Sequence, residues 1–152
     1  MANSNKPSYI LSVLGNRCPR CREGYLFETK NAYALKNSKY IKMKEECPLC
    51  GQPTDIEVGF YYGTSYVSYA LTIAISVATF IAWWVLIGFS LYDDRIFWWL
   101  GVNAVILLAL QPVLMRFSRI LWLSWFVKYD PDWKTHPVGS HERVVKEHMK
   151  NW

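Results

Sequence analysis

The most informative absence in this sequence of 152 residues is charge. From position 58 to position 92, 35 consecutive residues include no Asp, Glu, Lys or Arg. A soluble helix of this length needs a polar face, so the absence excludes an ordinary surface helix. Residues 65–91 alone would extend about 40 Å as a helix, which exceeds the roughly 30 Å of a bilayer core. We therefore predict a first transmembrane helix over residues 65–91.

A second uncharged run, residues 96–115 (IFWWLGVNAVILLALQPVLM), follows after a short polar break. Its length is about the minimum for a transmembrane helix. Backbone groups in lipid must be hydrogen-bonded within the segment, so both runs are predicted as helices. The short break between them predicts an antiparallel hairpin.

Basic residues lie on both sides of this hairpin. Residues 1–63 contain nine Lys and Arg, and residues 116–152 contain seven. Loops rich in Lys and Arg remain in the cytoplasm. The sequence therefore predicts a protein of the cytoplasmic membrane with both termini in the cytoplasm.

Catalytic motifs are absent as well. The sequence has no G-x-S-x-G motif, no glycine-rich phosphate loop and no paired His and Glu of a metallohydrolase. The apolar runs contain no carboxylate, histidine or lysine that could carry a proton or an ion. We therefore expect a protein that is not an enzyme and that does not transport by itself.

Cysteine is scarce, and its four copies form two C-P-x-C motifs. Cys18 and Cys21 make the first, Cys47 and Cys50 the second, with 25 residues between them. The two-residue spacer turns the chain so that both sulfurs of a motif face one ion, and proline restricts the turn. Cytoplasmic thiols stay reduced. The pattern predicts a four-thiolate Zn²⁺ site, with iron as the alternative metal.

Short segments around the cysteines predict β-strands over residues 24–28, 38–43 and 54–58. With the ion, residues 17–58 are predicted as a small β zinc-ribbon-like domain. A lead-in over residues 1–16 precedes this domain, and residues 59–64 join it to the first transmembrane helix. The predicted fold is thus a membrane protein with a two-helix hairpin and an N-terminal metal domain.

Polar and aromatic residues near the spans carry further predictions. Asn103 and Gln111, inside the second run, are predicted to make hydrogen bonds between helices. Residues 116–152 are predicted as a basic amphipathic cytoplasmic tail, beginning with a helix along the membrane surface and containing three solvated histidines. The residues predicted to lie at the membrane–water interface are Tyr61, Tyr62, Tyr66, Arg116 and Arg119.

The motifs CPRCREGYLF, CPLCG and DIEVGFYYGTSYVSYAL, in this order, resemble the DUF983 family of small bacterial membrane proteins. The resemblance covers roughly residues 15–127. It places the four cysteines at the family's motif positions and implies no catalytic residue. Some family genes lie near those for haem–copper oxidase subunits and their assembly factors, which implies an accessory role in respiration.

These observations predict a non-enzymatic membrane accessory protein. Its metal domain would dock a partner, and its hairpin would pack on a larger membrane complex such as a respiratory haem–copper oxidase. The lysines within residues 30–44 favour membrane lipid as a partner. Nucleic acid is less favoured, because Glu45 and Glu46 follow these lysines directly. Self-association is an alternative to a larger complex. The alternative function is a rubredoxin-like iron electron carrier, or an assembly factor that handles metal or thiols.

Overall fold

The computed structural model describes residues 7–34, 39–88 and 94–138, and α-helices dominate this part of the chain. The helices are α1 (Tyr9–Leu14), α2 (Thr64–Ile87) and α3 (Arg95–Phe126). A one-turn 3₁₀ helix, Phe60–Gly63, leads directly into α2. The cysteine-containing residues 15–34 and 39–58, here called the knuckle unit, precede this turn.

The two long helices are apolar and largely uncovered. Their 24 and 32 residues correspond to lengths of about 36 and 48 Å. The most apolar 18-residue windows have mean hydropathies of 2.2 and 1.8, with 0% and 11% of the window buried inside the protein. The core helix of a soluble protein would be mostly buried. Both helices are therefore long and apolar enough to cross a membrane.

Polar side chains join α2 and α3 at two levels. Near one end, Ser68 Oγ donates a hydrogen bond to Ser118 Oγ at 2.9 Å. Near the other, Thr79 Oγ1 donates to Asn103 Oδ1 at 3.0 Å, and Asn103 Nδ2 donates to Ser76 Oγ at 3.2 Å. The pairing of early residues of α2 with late residues of α3 makes an antiparallel hairpin, as the sequence predicts.

The helix bounds differ from the predicted ones. Gly88 has a φ of +83° and ends α2, while residues 89–91 of the predicted span lie outside the described residues. The second helix does not stop at Met115 but continues through Pro112 as far as Phe126. The knuckle unit packs on one side of its last turns, while Trp125 and Phe126 remain exposed.

The end of α3 forms the core of the knuckle unit. Ile120 and Leu123 are completely buried, and Val127 is 6% exposed. They cluster with Leu26 and Phe27 of the knuckle unit. A domain of about 40 residues has too few apolar residues for a core of its own. The basic segment predicted as a tail therefore begins as a structural helix.

The prediction of three β-strands is wrong for the residues that the structure describes. Pairing is limited to isolated bridges, Arg17 with Tyr25, Phe27 with Met43 and Glu46 with Pro53. Arginine side chains of α3 bind carbonyl groups of the segment between the two cysteine motifs. The carbonyls engaged in this way belong to Lys30, Asn31, Tyr40 and Ile41.

Part of the predicted lead-in is folded. Helix α1 packs on α3, where the Tyr9 hydroxyl lies 2.8 Å from Ser124 Oγ. Arg22 Nη1 donates a hydrogen bond to the carbonyl of Pro7 at 2.8 Å. The N-terminal segment therefore belongs to the same packed unit as the knuckles, and residues 1–6 lie outside the described residues.

Gly63, directly before α2, permits a close contact with α3. A Cβ on Gly63 would lie 2.1 Å from the Trp122 ring, whereas a Cβ on Gly101 would meet nothing within 4 Å. We expect Gly63→Ala to lower the free energy of unfolding by about 1–3 kcal/mol, because the indole must move. Thermal unfolding in detergent, followed by circular dichroism, measures this. Gly101→Ala is the matched control, and equal losses in the two variants would contradict the packing.

Candidate metal centre

The two cysteine motifs fold into the same local turn. The amide of Arg22 donates to the Cys18 carbonyl at 2.8 Å, and the amide of Gly51 donates to the Cys47 carbonyl at 2.9 Å. Both donors are left-handed, with φ of +60° at Arg22 and +68° at Gly51. Glycine adopts this conformation readily and arginine does not. The first turn is therefore strained at the residue where the second has glycine.

These turns bring four sulfur atoms together. Cys18 Sγ lies 3.7 Å from Cys50 Sγ, and Cys21 Sγ lies 3.8 Å from Cys47 Sγ. All four atoms lie within 4.8 Å of one another. A tetrahedral site with Zn–S bonds of about 2.3 Å has edges of about 3.8 Å. The four cysteines therefore fit a single metal ion, as the sequence predicts, and Fe and Zn²⁺ fit this donor set alike.

The sulfurs are buried and reduced. Cys18, Cys21 and Cys47 are at most 2% exposed, and Cys50 is 9% exposed. The two Sγ–Sγ distances are nearly twice the roughly 2.05 Å of a disulfide bond. Hydrogen bonds among the four thiols lower the pKa of Cys21 and Cys47 and raise the pKa of Cys18 and Cys50. Metals bind the thiolate form, so all four thiols would lose their protons to a bound ion.

Gly24 closes the sulfur cluster on one side. Its amide lies 3.4 Å from Cys21 Sγ and donates a hydrogen bond to it. A Cβ at this position would lie 2.3 Å from Cys47 Sγ. Any larger residue at position 24 would therefore push the Cys47 sulfur out of place. In the sequence, the signal for this close contact is a glycine three residues after the first motif.

Arg20, the variable residue of the first motif, ties the cluster to the segment after α3. It is 6% exposed. Its Nη2 lies 2.9 Å from the His136 carbonyl, 3.1 Å from the Pro137 carbonyl and 3.4 Å from Asp130 Oδ2. Its Nη1 lies 3.4 Å from the Cys50 carbonyl. Sequence reasoning missed this role, because Asp130, His136 and Pro137 are more than 100 residues away from Arg20.

The histidines of the predicted tail fall into two groups. His136 is exposed, and its Nδ1 lies 3.1 Å from Asp130 Oδ1. Although burial opposes the shift, hydrogen bonds with His136, the Asp132 amide and Arg20 lower the pKa of Asp130. This contact holds the turn after α3 and is distant in sequence from the cysteines. His141 and His148 lie outside the described residues.

The predicted interface residues separate into exposed and buried ones. Tyr62 and Tyr66 are 79% and 77% exposed, and nothing in the described residues covers their rings. Tyr61 is half-buried, and its hydroxyl donates to the Thr54 carbonyl at 2.7 Å. Arg119 stacks over the Tyr61 ring at 4.8 Å. Tyr61 and Arg119 thus join the knuckle unit to the helices.

Arg116 is 1% exposed and lies under the loop between the two motifs, residues 28–34 and 39–44, here called the inter-knuckle loop. Its guanidinium stacks over Phe27 at 4.8 Å. It donates only to neutral oxygens, namely the Tyr25 hydroxyl, Thr29 Oγ1 and the carbonyls of Lys30, Asn31 and Tyr40. Sequence reasoning placed this arginine at the membrane surface, and the structure buries it inside the protein.

The two polar residues predicted between the helices differ in position. Asn103 is 7% exposed and bonds to α2. Gln111 is exposed on α3, and within the described part of the chain no hydrogen bond from its side chain is found. Of these two predicted residues, Asn103 alone joins the two helices in the described part of the chain.

Comparisons with protein-family models, curated proteins and solved structures found no match for this chain. The resemblance to the DUF983 family therefore depends on the quoted motifs alone. The fold and the site give the class of the protein independently. Two helices suited to crossing a membrane and four clustered cysteines suited to a metal ion fit a membrane metal-binding protein.

The contact between Gly24 and the sulfurs predicts a loss of metal affinity when a side chain is added at this position. We expect Gly24→Ala to weaken metal binding about 10- to 100-fold, as loss of a residue that orients a ligand does. Competition with a chromophoric chelator, using the full chain in detergent, measures the affinity. Gly101→Ala is the control, since a Cβ there meets nothing within 4 Å. Wild-type affinity in Gly24→Ala would show that the cluster does not hold the ion.

Proposed function

We propose that this chain is a non-enzymatic integral membrane accessory protein that helps to dock or assemble a larger membrane complex. The observation that carries the proposal is the position of the buried four-cysteine cluster. The cluster belongs to a small unit whose core is the end of a membrane-length helix. A metal-stabilised unit fixed to a helix hairpin suits binding to another protein.

A structural Zn²⁺ ion is the proposed occupant of the cluster. Structural zinc sites have four protein ligands, whereas catalytic sites keep one position open for water or substrate. Here all four donors are buried thiols. The ion would be held by Cys18, Cys21, Cys47 and Cys50 and would crosslink the two turns.

A partner within the membrane is the second part of the proposal. The uncovered side chains of α2 include Ile73, Val77 and Ile81, which are 44%, 51% and 51% exposed and recur at every fourth position. Such a stripe can face lipid or another helix. A respiratory haem–copper oxidase is the partner that the resemblance to the DUF983 family implies, and self-association is the alternative.

The proposed location is the bacterial inner membrane, with the knuckle unit in the cytoplasm. This orientation follows from the distribution of Lys and Arg on the two sides of the hairpin. The reducing cytoplasm would keep the four thiols available for the ion. Orientation and metal chemistry are thus consistent with each other.

The metal assignment is tested on the full chain, purified in mild detergent without added metal. We expect about one zinc per chain by elemental analysis and no visible colour, because Zn²⁺ has a filled d shell. The Cys47→Ser variant should lose most of the zinc, and Ser65→Ala, which changes an exposed hydroxyl, should keep it.

Stoichiometric iron with thiolate charge-transfer bands would contradict the zinc assignment. The chain would then be the rubredoxin-like electron carrier of the alternative hypothesis, since four cysteine thiolates also hold iron. A preparation without any bound metal would contradict both assignments and would favour thiol chemistry.

The accessory role predicts association in native membranes. We expect the solubilised chain to migrate on native gels well above its mass of 17.8 kDa and to shift to smaller species in Cys47→Ser. The reason is that an unligated knuckle unit loses its fixed surface. Chemical crosslinking before solubilisation separates a complex of different chains from a homo-oligomer. Migration as a monomer in both forms would refute the accessory role.

A further inference from the structure

The inter-knuckle loop runs along the side of α3 towards the middle of the hairpin. The Asn31 carbonyl accepts a hydrogen bond from Arg116 at 2.8 Å. The Tyr33 hydroxyl donates to the Ala109 carbonyl at 2.9 Å. Ala109 precedes Arg116 by seven residues, or about 10 Å along the helix axis. Through the Tyr33 side chain, the loop therefore reaches about two helical turns beyond Arg116 into the apolar helix pair.

Three exposed tyrosines lie near the start of the other long helix, in α2 and in the turn before it. Tyr62, Tyr66 and Tyr69 recur at helical spacing and are 79%, 77% and 68% exposed. The Ser68–Ser118 hydrogen bond places this part of α2 beside the last turns of α3. Exposed tyrosines concentrate where a membrane meets water. Because Arg116 lies two residues before Ser118, the loop backbone that it binds at Lys30 and Asn31 lies next to this level.

The loop carries positive charge at this level. Lys30 and Lys39 are exposed, and no carboxylate pairs with either of them in the described part of the chain. Thr29 Oγ1 accepts a hydrogen bond from Arg116 and donates one to the Lys39 carbonyl. Thr29 directly precedes Lys30, so this hydroxyl brings the backbones of Lys30 and Lys39 together beside the buried guanidinium of Arg116. Lys42, by contrast, is paired with Glu28 at 2.8 Å.

We propose that the inter-knuckle loop binds the phosphate groups of anionic phospholipids in the leaflet next to the knuckle unit. Lys30 and Lys39 contact the phosphates, and the short segment of Ala32, Tyr33 and Ala34 lies among the upper parts of the acyl chains. This inference rests on the proposed membrane insertion. The charge of Arg116, which only neutral oxygens surround, adds to the positive potential.

The position of the loop also explains why lipid is the occupant. The loop touches α3 at Ala109 and Met115, the latter through the Tyr40 hydroxyl at 3.8 Å from Met115 Sδ. Both contacts lie within the run predicted to cross the membrane. Lys30, whose carbonyl binds Arg116 just after this run, meets lipid headgroups before it meets any soluble acidic protein. Each lysine near an anionic surface strengthens binding about fivefold.

The test uses the full chain in nanodiscs that contain phosphatidylcholine and phosphatidylglycerol. After re-extraction in mild detergent, mass spectrometry measures the ratio of the two lipids that remain bound. We expect the wild type to be enriched in phosphatidylglycerol and the Lys30→Gln/Lys39→Gln variant to lose that enrichment several-fold. Lys134→Gln is the matched control, because Lys134 is exposed in the segment after α3 and stacks on Trp133.

Three outcomes would overturn the lipid site. These are equal lipid ratios in the wild type and the double variant, an equal loss in Lys134→Gln, and displacement of the lipid by soluble glycerol phosphate. Unchanged metal content and circular dichroism establish that the double variant is folded. Entry into nanodiscs is scored separately, so failure of the wild type to enter them would contradict the proposed membrane insertion instead.

Discussion

The structure depends on one buried cation. Arg116 directly follows the apolar run of α3, and a guanidinium without partners would be very costly to bury there. The inter-knuckle loop satisfies it with carbonyl and hydroxyl oxygens. The arginine thereby determines where the loop runs, and the loop connects the two cysteine motifs. A charge on α3 thus positions the metal site relative to the helices.

The knuckle unit has no independent core, and this shortage explains its arrangement. Ile120 and Leu123 of α3 are fully buried among its side chains, together with the four cysteines, Leu26 and Phe27. Removing either contribution would leave a short, turn-rich chain with little apolar area to bury. The unit and the end of α3 are therefore one folding unit, and metal binding and helix packing are expected to stabilise each other.

Arg20 extends this coupling to the chain that follows α3. Its guanidinium bridges the second cysteine turn and the segment around Asp130 and His136. Residues from the N-terminal part and from the C-terminal part of the described chain therefore enclose the sulfur cluster together. Such an arrangement shields the thiols from oxidants and leaves the outer surface of the unit for contact with lipid or protein. It suits a structural ion better than a reactive thiol pair.

The sequence by itself determined the features that depend on local chemistry. An uncharged run long enough to cross a bilayer predicts α2, and two C-P-x-C motifs predict four clustered thiols, since neither depends on distant residues. Tertiary structure decided the rest. Helix α3 continues past Met115, where a unit without a core of its own packs on it. The residues predicted as strands make only isolated bridges, while Arg116 and Arg119 of α3 bind the carbonyls of Asn31 and Ile41. Those contacts join residues about 80 positions apart, and no local pattern encodes them.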